Sequence, residues 1–330
     1  MWSMMGNILS VALWVAATDF RTFLAHRIVG GLSEGNVQLA TAIATDISSD
    51  SQRGATMALV GACFSIAFTF GPALGAWLST KTVFAANPFA TAAGFSLFLI
   101  VAETLYLWLA LPETLPAVRG AARANGKANG HAEKRAPPRP RTNPHWLLNF
   151  THFSFILFFS GMEFSLPFMT YDLFSYGARQ NGRLLGFIGL IASLLQGGVV
   201  RRMHPLRVVQ LGVVACAAAF MMLGRLDSER LLYVAASLLA VTSATVVTGL
   251  NSLSSFEASD SERGGKLGSH RSFGQVGRAL GPILFCSLYW WAGRQTAYAV
   301  GATGVVAVCG IVFGALKKPA GTETVPKQKA

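Results

Sequence analysis

The sequence predicts an all-α membrane protein with about ten transmembrane helices arranged as two parallel repeats. Three observations lead to this prediction. Of the 330 residues, 52% are apolar and only 13% are charged, about half the charged fraction of an ordinary soluble protein. The apolar residues fall into long stretches. In addition, SDSQRG at residues 49–54 recurs as SDSERG at residues 259–264, and each copy is followed, after 16 further residues, by Gly-Pro.

Each apolar stretch is judged by its length, because a helix needs about 20 apolar residues to cross the hydrocarbon core of a bilayer. Ten stretches come close to this length or exceed it, at residues 2–18, 22–46, 53–79, 88–111, 146–174, 183–200, 206–225, 229–254, 266–292 and 294–316. The first stretch lacks a basic n-region and is followed by further spans, so we predict a helix there and not a signal peptide.

Changes in composition divide the chain into four parts. Residues 1–112 form an N-terminal half-bundle of four helices, and residues 146–317 form a C-terminal bundle of six. Between them, residues 113–145 are rich in Ala, Asn, Gly, Pro and positive charge, which predicts a disordered cytosolic loop. Residues 318–330 are predicted to be a disordered tail on the same side.

The basic residues predict the orientation. The side that holds the long loop and the carboxyl tail collects 18 of the lysines and arginines, and the opposite side has seven. Cytosolic loops are the ones enriched in basic residues, so both termini are predicted to be cytosolic. These residues are scattered between apolar stretches without a nucleic-acid-binding pattern, so we expect no nucleic-acid partner. Which membrane holds the chain is left open.

The two Gly-Pro elements, Gly71-Pro72 and Gly281-Pro282, reveal an internal repeat. The second lies on the sixth helix after the first, so both helices cross the membrane in the same direction. This is a parallel repeat about an axis along the membrane normal. The second copy is the fifth helix of six in its half, whereas the first is the third of four. If the halves were once equal, two helices are expected to be absent ahead of Met1.

Several motifs resemble those of a known transporter family. Residues 27–78 are similar to the fourth and fifth helices of the major facilitator superfamily, and Arg27 with Gly31 matches the R-x-x-x-G motif of its drug-proton antiporter branch. AFTFGPALGA at residues 67–76 resembles the antiporter motif, with Ala at its first and last glycine positions. LPETL at residues 111–115 resembles the common ending of the family's sixth helix, and GGVVRRMHP at residues 197–205 resembles the loop motif between its eighth and ninth helices, without the family's usual Asp. The eukaryotic tetracycline-transporter-like proteins are the members it resembles most.

Charged side chains inside the predicted spans are candidate substrate or proton contacts, because a charge in a bilayer costs a few kcal/mol on insertion scales. Arg27 and Glu34 lie two helical turns apart on one predicted helix and therefore share a face. The resemblance implies that Arg27 assists proton transfer and that Glu34 faces a central cavity. The alternative is that each pairs with a neighbouring helix only to survive burial.

Glu163 and Arg278 are the candidates in the second half. Glu163 lies midway along its helix, where a desolvated carboxyl would readily hold a proton, and Pro167 follows one turn later and could loosen the helix. Arg278 lies near the centre of its helix, and its rigid fork suits carboxylates and phosphates. A static Glu163–Arg278 ion pair between helices is the alternative for both.

The glycines and prolines suggest moving parts rather than ligands. Glycines four residues apart allow helices to approach closely, and proline permits bending. We therefore expect a packing seam across which the halves rock, formed by Gly71, Pro72, Gly75, Gly277, Gly281 and Pro282. The paired loop charges Asp50/Arg53 and Asp260/Arg263 are candidates for a cytosolic latch, with solvated loop charges as the alternative.

Taken together, these features predict a secondary active transporter. It would move a small organic solute, either an organic anion or a drug-like molecule, by alternating access coupled to protons. The histidine and cysteine spacings predict no metal site, and the absence of phosphate-binding and nucleophile motifs argues against an enzyme. We expect no cofactor, and a monomer if the protein is full length. The alternative is a non-transporting membrane protein, or a fragment from an incomplete gene model.

Overall fold

The computed structural model describes residues 2–48, 52–79, 81, 90–111, 141–258 and 262–319, and the regular structure of these residues is entirely helical. The α-helices are α1 Trp2–Val15, α2 Phe20–Ser33, α3 Asn36–Asp46, α4 Arg53–Ser79, α5 Ala90–Ala110, α6 His145–Phe174, α7 Ala178–Gly198, α8 Pro205–Gly224, α9 Glu229–Phe256 and α10 Arg263–Gly314. A single 3-10 turn, Val200–Arg202, joins α7 to α8.

Six helical segments among the described residues are long and apolar enough to cross a membrane: Ala90–Ala110, His145–Phe174, Arg179–Arg202, Pro205–Gly224, Glu229–Phe256 and Gly264–Gly314. Two shorter apolar helices, Trp2–Val15 and Ala55–Phe64, accompany them. The all-α membrane fold predicted from the sequence is therefore confirmed.

The prediction of one helix over residues 22–46 is wrong, because the structure has α2 and α3 there. The break occurs at Glu34 and Gly35. Ser3 of α1 bonds to the backbone on both sides of this break: its hydroxyl donates to the Ser33 carbonyl, and its oxygen accepts a 3.1 Å bond from the Gly35 amide. A side chain that takes up backbone groups in this way competes with the next helical turn.

The long helix α10 is two helices joined at one residue. Gly293 has φ 82° and ψ 165°, a backbone conformation that glycine adopts readily because it has no Cβ. Residues 263–292 form the first segment and residues 294–314 the second. The 52 residues of α10 would make one helix about 78 Å long at 1.5 Å per residue, more than twice the thickness of a bilayer core. The two helices predicted here are confirmed.

The chain divides into two compact units. The first comprises Met1–Ile47 and Phe70–Lys134, and the second comprises Ser48–Thr69 and Arg135–Ala330. In the first unit, α1 packs against α2 and α5, and the Ser10 hydroxyl bonds with both the ring and the carbonyl of buried His26. The predicted loop at residues 113–145 and tail at residues 318–330 lie largely outside the described residues, and the predicted halves stay a prediction.

The second unit has an extensive core in which α6 packs on α10 and α8 packs on α9 and α10. Its centre is a group of three buried rings, Phe220, Phe285 and Tyr298, with centroids 5.3 to 6.0 Å apart. The first part of α4 also belongs to this unit, where Ala58 packs among small residues of α7 and α9. Close packing of this kind, more than hydrophobic exclusion, holds helices together in lipid.

A candidate substrate site between helices α6 and α10

Two glycines of α10 bring its first segment against α6. A Cβ added at Gly277 would lie 2.6 Å from the Phe153 carbonyl oxygen, and one at Gly281 would lie 2.3 Å from that of Leu157. Both distances are shorter than any side chain tolerates against a rigid backbone. Only glycine therefore permits this approach, as small residues commonly do at membrane helix contacts.

The close approach places Glu163 of α6 beside Arg278 of α10. The Arg278 guanidinium and the Glu163 Oε2 atom are 3.5 Å apart, longer than the 2.7 to 2.9 Å typical of a charge-assisted hydrogen bond. The side chain of Glu163 is 30% exposed and that of Arg278 is 42% exposed. The pair is therefore loosely joined and accessible, although Oε2 itself is buried and has no hydrogen-bond partner among the described residues.

Both charges lie near the middle of their helices, as the sequence predicted. Pro167 is inside α6, one turn after Glu163, and has no N–H to donate to the Glu163 carbonyl. The helix continues through this point, and the Thr170 hydroxyl donates to the Pro167 carbonyl at 3.0 Å. The structure thus has the ion pair that the sequence offered as the alternative for these two residues. A static pair and a working site share this geometry, so their roles stay predictions.

The candidates in the first unit have a different setting. Arg27 is exposed on α2, and Glu34 is exposed at the residue that ends this helix. Because Glu34 has non-helical φ and ψ (−71° and 79°), the spacing argument for a shared helix face does not hold. No described contact joins Arg27 to Glu34, and their proposed roles stay predictions.

The predicted seam and latch are described only in part. A Cβ at Gly71 or Gly75 would meet no described atom within 4 Å, and Pro282 lies inside α10. Arg53 and Arg263 are the first residues of α4 and α10. Asp50 and Asp260, and the side chains of Arg53, Arg263 and Pro72, lie outside the described part of the chain.

Sequence reasoning missed a buried polar network between α6 and α10. The His152 ring donates to the His270 carbonyl at 3.1 Å, and the His270 ring donates to Asn149 Oδ1 at 3.1 Å. The two imidazoles stack with centroids 4.3 Å apart. Gly274 makes room for them, since a Cβ there would lie 2.6 Å from the His152 ring. Polar residues three apart inside an apolar span were the signal that could have revealed it.

A second missed cluster ties three chain segments together at one end of the second unit. The Glu257 carboxylate accepts from the backbone amides of Thr142 and Asn143 at 2.9 and 2.8 Å. The fully buried Asn143 side chain also donates to the Lys317 carbonyl and accepts from the Lys317 amide, both at 2.8 Å. These bonds fasten the start of α6 to the ends of α9 and α10.

Known proteins resemble this chain over most of its length. The sequence profile of the Major Facilitator Superfamily matches residues 1–282. Major facilitator superfamily domain-containing protein 10 of Mus musculus is 33% identical over 319 residues, which is 91% of this chain and 68% of the mouse protein. The protein of the same name from Homo sapiens is 32% identical over 314 residues, covering 89% of this chain and 67% of the human protein.

Solved structures of transporters also resemble this chain in fold. The human organic anion transporter MFSD10 (TETRAN) superposes with a TM-score of 0.79 at 29% identity, over 94% of this chain and 75% of that one. The fucose:proton symporter FucP of E. coli superposes with a TM-score of 0.63 at 13% identity, over 96% and 82% of the two chains, which supports the fold alone. The chain is therefore an integral membrane protein that belongs to the major facilitator superfamily of transporters.

Proposed function

We propose that this protein transports small organic anions and that Arg278 binds the anionic group of the substrate. The observation that carries the proposal is the loose, half-exposed Glu163–Arg278 pair at the middle of α6 and α10. A guanidinium offers two parallel N–H donors to a carboxylate. Here the Glu163 carboxylate lies 3.5 Å away, too far for a strong hydrogen bond, so these donors are open to a substrate. The name of the human structural relative, an organic anion transporter, supports the same substrate class.

Proton coupling follows from an exchange of partners at this site. An arriving substrate carboxylate would bind the Arg278 guanidinium and leave the Glu163 carboxylate without its cationic partner. A second negative charge beside one guanidinium favours protonation of the displaced carboxyl. Substrate and proton would then bind together, which gives cotransport. Export against protons, as in the antiporter branch that the motifs resemble, would need the two to compete, so the direction of the coupling distinguishes these hypotheses.

Movement between inward-open and outward-open states is the remaining part of the proposal. The Gly-Pro helices would bend and slide at the seam of Gly71, Pro72, Gly75, Gly277, Gly281 and Pro282, as in alternating access by two repeats. The loop charges Asp50/Arg53 and Asp260/Arg263 would hold one state at the cytosolic side. Arg27 and Glu34 would line the substrate pathway from the first unit.

Transport by the full chain in liposomes tests the substrate role. With a labelled aromatic carboxylate as the probe, we expect Arg278→Gln to reduce uptake at least about tenfold, the loss of one charge-assisted contact. Arg278→Lys keeps the charge but not the fork and should retain part of the activity. Arg207→Gln, at the exposed start of α8, is the matched control. Equal uptake by Arg278→Gln and the wild type would refute the proposal.

The coupling is tested with Glu163→Gln, which resembles a permanently protonated carboxyl. We expect this variant to transport the anion with little dependence on pH, whereas the wild type responds to an imposed proton gradient. Uptake driven by an inward proton gradient supports cotransport, and uptake inhibited by it supports competition. If Glu163→Gln responds to pH as the wild type does, Glu163 is not the proton carrier.

A further inference from the structure

Residues of the N-terminal turns of α6 and α10 line an open cavity of about 790 Å³. Its polar wall includes His145, Asn149, Lys266 and Ser269, and its apolar wall includes Trp146 and Phe273. Neither helix has a side chain that caps its N-terminus. Unpaired backbone amides at a helix start carry partial positive charge, and first-turn residues of both helices, His145 and Gly265, line the cavity together with Lys266.

Three polar side chains of this cavity, His145, Lys266 and Ser269, have hydrogen-bonding capacity that no described contact fully uses. Both ring nitrogens of His145 are buried and have no hydrogen-bond partner among the described residues. Ser269 accepts from the Asn149 amide at 3.4 Å, which leaves its own hydroxyl proton to donate. Within the described part of the chain no carboxylate pairs with Lys266. Buried polar groups without partners are rare in native proteins unless a ligand or water completes them.

The charge around the cavity also favours an anion. Among the described residues of the second unit, seven cationic side chains lie at this end, namely Arg141, Arg201, Arg202, Arg207, Lys266, Lys317 and Lys318. Its two described carboxylates are already engaged: Glu262 pairs with Arg141 at 2.6 Å, and Glu257 accepts from Thr142 and Asn143. The carboxylate that lines the cavity is therefore neutralised by a neighbour.

The apolar wall indicates what kind of anion fits. Trp146 is 68% exposed in the first turn of α6, and Phe273 is 47% exposed in the third turn of α10. An exposed Trp at the start of a membrane-spanning helix is typical of the interfacial region of a bilayer, and Phe273 lies further along α10. An inorganic anion would gain nothing from them, whereas a phospholipid has acyl chains to place beside them and a phosphate to place beside Lys266.

We propose that this cavity binds the headgroup of an anionic phospholipid of the surrounding membrane. The phosphate accepts hydrogen bonds from Lys266, Ser269 and the first turns of α6 and α10, and the acyl chains lie along Trp146 and Phe273. Basic pockets between membrane helices bind anionic headgroups in this way. The site is separate from the Glu163–Arg278 pair, so the proposal stands or falls independently of the transport function.

Native mass spectrometry of the full chain, titrated with lipid, tests the site. We expect dioleoylphosphatidylglycerol to bind at least about tenfold more tightly than dioleoylphosphatidylcholine, which has the same acyl chains. Lys266→Gln should weaken phosphatidylglycerol binding about fivefold, in line with the value of one basic residue at a membrane surface. Lys266→Arg should retain it. The matched control, Lys318→Gln, removes the same charge at the same end but outside the cavity, and should have less than about a twofold effect.

Blocking the cavity gives a test that does not depend on charge. Gly265 lines the space, and a Cβ there would meet no described atom within 4 Å, so Gly265→Leu should fold normally and exclude the lipid. Equal weakening by Lys266→Gln and Lys318→Gln would mean diffuse attraction and would overturn the proposal. So would equal affinity for the two lipids, unchanged lipid binding by Gly265→Leu, or inorganic phosphate binding as tightly as phosphatidylglycerol.

Discussion

Gly71 in α4 and Gly281 in α10 hold equivalent positions in the two copies of one sequence pattern, but their surroundings differ. A Cβ at Gly281 would collide with the Leu157 carbonyl and the Ser160 hydroxyl of α6, each at 2.3 Å. At Gly71 it would meet no described atom within 4 Å. Each is followed by proline. The repeated glycine thus supplies a small volume, and the neighbouring helix determines whether that volume is used.

The next equivalent pair, Gly75 and Phe285, shows the same contrast. Phe285 is buried and packs against the rings of Phe220 and Tyr298, whereas a Cβ at Gly75 would meet no described atom within 4 Å. In the second unit, this position of the motif is therefore part of the packed core. We therefore expect substitutions at equivalent positions to have unequal effects.

The largest difference is expected for alanine at the repeated glycine. Gly281→Ala should lower the free energy of unfolding by about 2 to 3 kcal/mol, because its Cβ overpacks against a backbone that cannot move away. Gly71→Ala should be neutral or stabilising by up to about 1 kcal/mol, since alanine loses less entropy in a helix. Unfolding in mixed micelles measures both, and equal losses would mean that both glycines are packed.

A second difference concerns the polar contacts that fasten helix ends. Asn143→Ala removes bonds to both Glu257 and Lys317 and leaves buried groups unpaired, so we expect a loss of about 2 to 3 kcal/mol. Ser10→Ala in the first unit removes contacts with His26 alone, and about 1 kcal/mol is expected. The same unfolding assay ranks the two variants, and a greater loss for Ser10→Ala would contradict the comparison.

Substitutions of Arg278 at the candidate site and of Arg27 in the first unit should differ less in stability. Arg278→Gln leaves the Glu163 carboxylate without its cation, and about 1 kcal/mol is expected because the pair is only partly buried. The double variant with Glu163→Gln should recover most of this loss. Arg27→Gln, at an exposed position of α2, should change stability by less than about 0.5 kcal/mol. Recovery in the double variant together with unchanged transport would identify a purely structural pair.

The smallest effect concerns the caps of two helices as the pH falls. His204 caps α8 by accepting from the Leu206 amide at 3.2 Å, and burial, with Lys318 and Arg207 nearby, lowers its pKa below the usual 6.5. Asp19 caps α2, and its bonds from Thr22 lower its pKa below the usual 3.8. Both caps contribute fully above the unfolded-state pKa and are lost as the pH falls through the folded-state pKa.

The histidine cap must therefore weaken first. Between pH 7 and 5 we expect hydrogen exchange in the first turn of α8 to accelerate relative to its intrinsic rate, while that of α2 stays constant. His204→Asn keeps the cap without a titrating group and should remove this acceleration. Acceleration that persists in His204→Asn would assign the effect to another group.

Composition and periodicity alone determined the membrane class and most helix boundaries. The apolar stretches at residues 53–79, 88–111 and 146–174 became α4, α5 and α6 within about two residues, because an apolar run of bilayer length has no other way to satisfy its backbone in lipid. The repeat and the motif resemblance gave the superfamily. Glu163 and Arg278 could be singled out because charge is rare at that depth.

Only the tertiary structure decided which residues meet. Three sets of contacts join residues more than 30 positions apart: Ser3 with the Gly35 amide, Asn143 with Glu257 and Lys317, and the stacked rings of His152 and His270. Nothing in the local sequence of one helix specifies its partner, because many partners satisfy the same apolar face. The repeat has glycine at positions 71 and 281 alike. The stability lost on substituting either glycine depends on the backbone that packs against it.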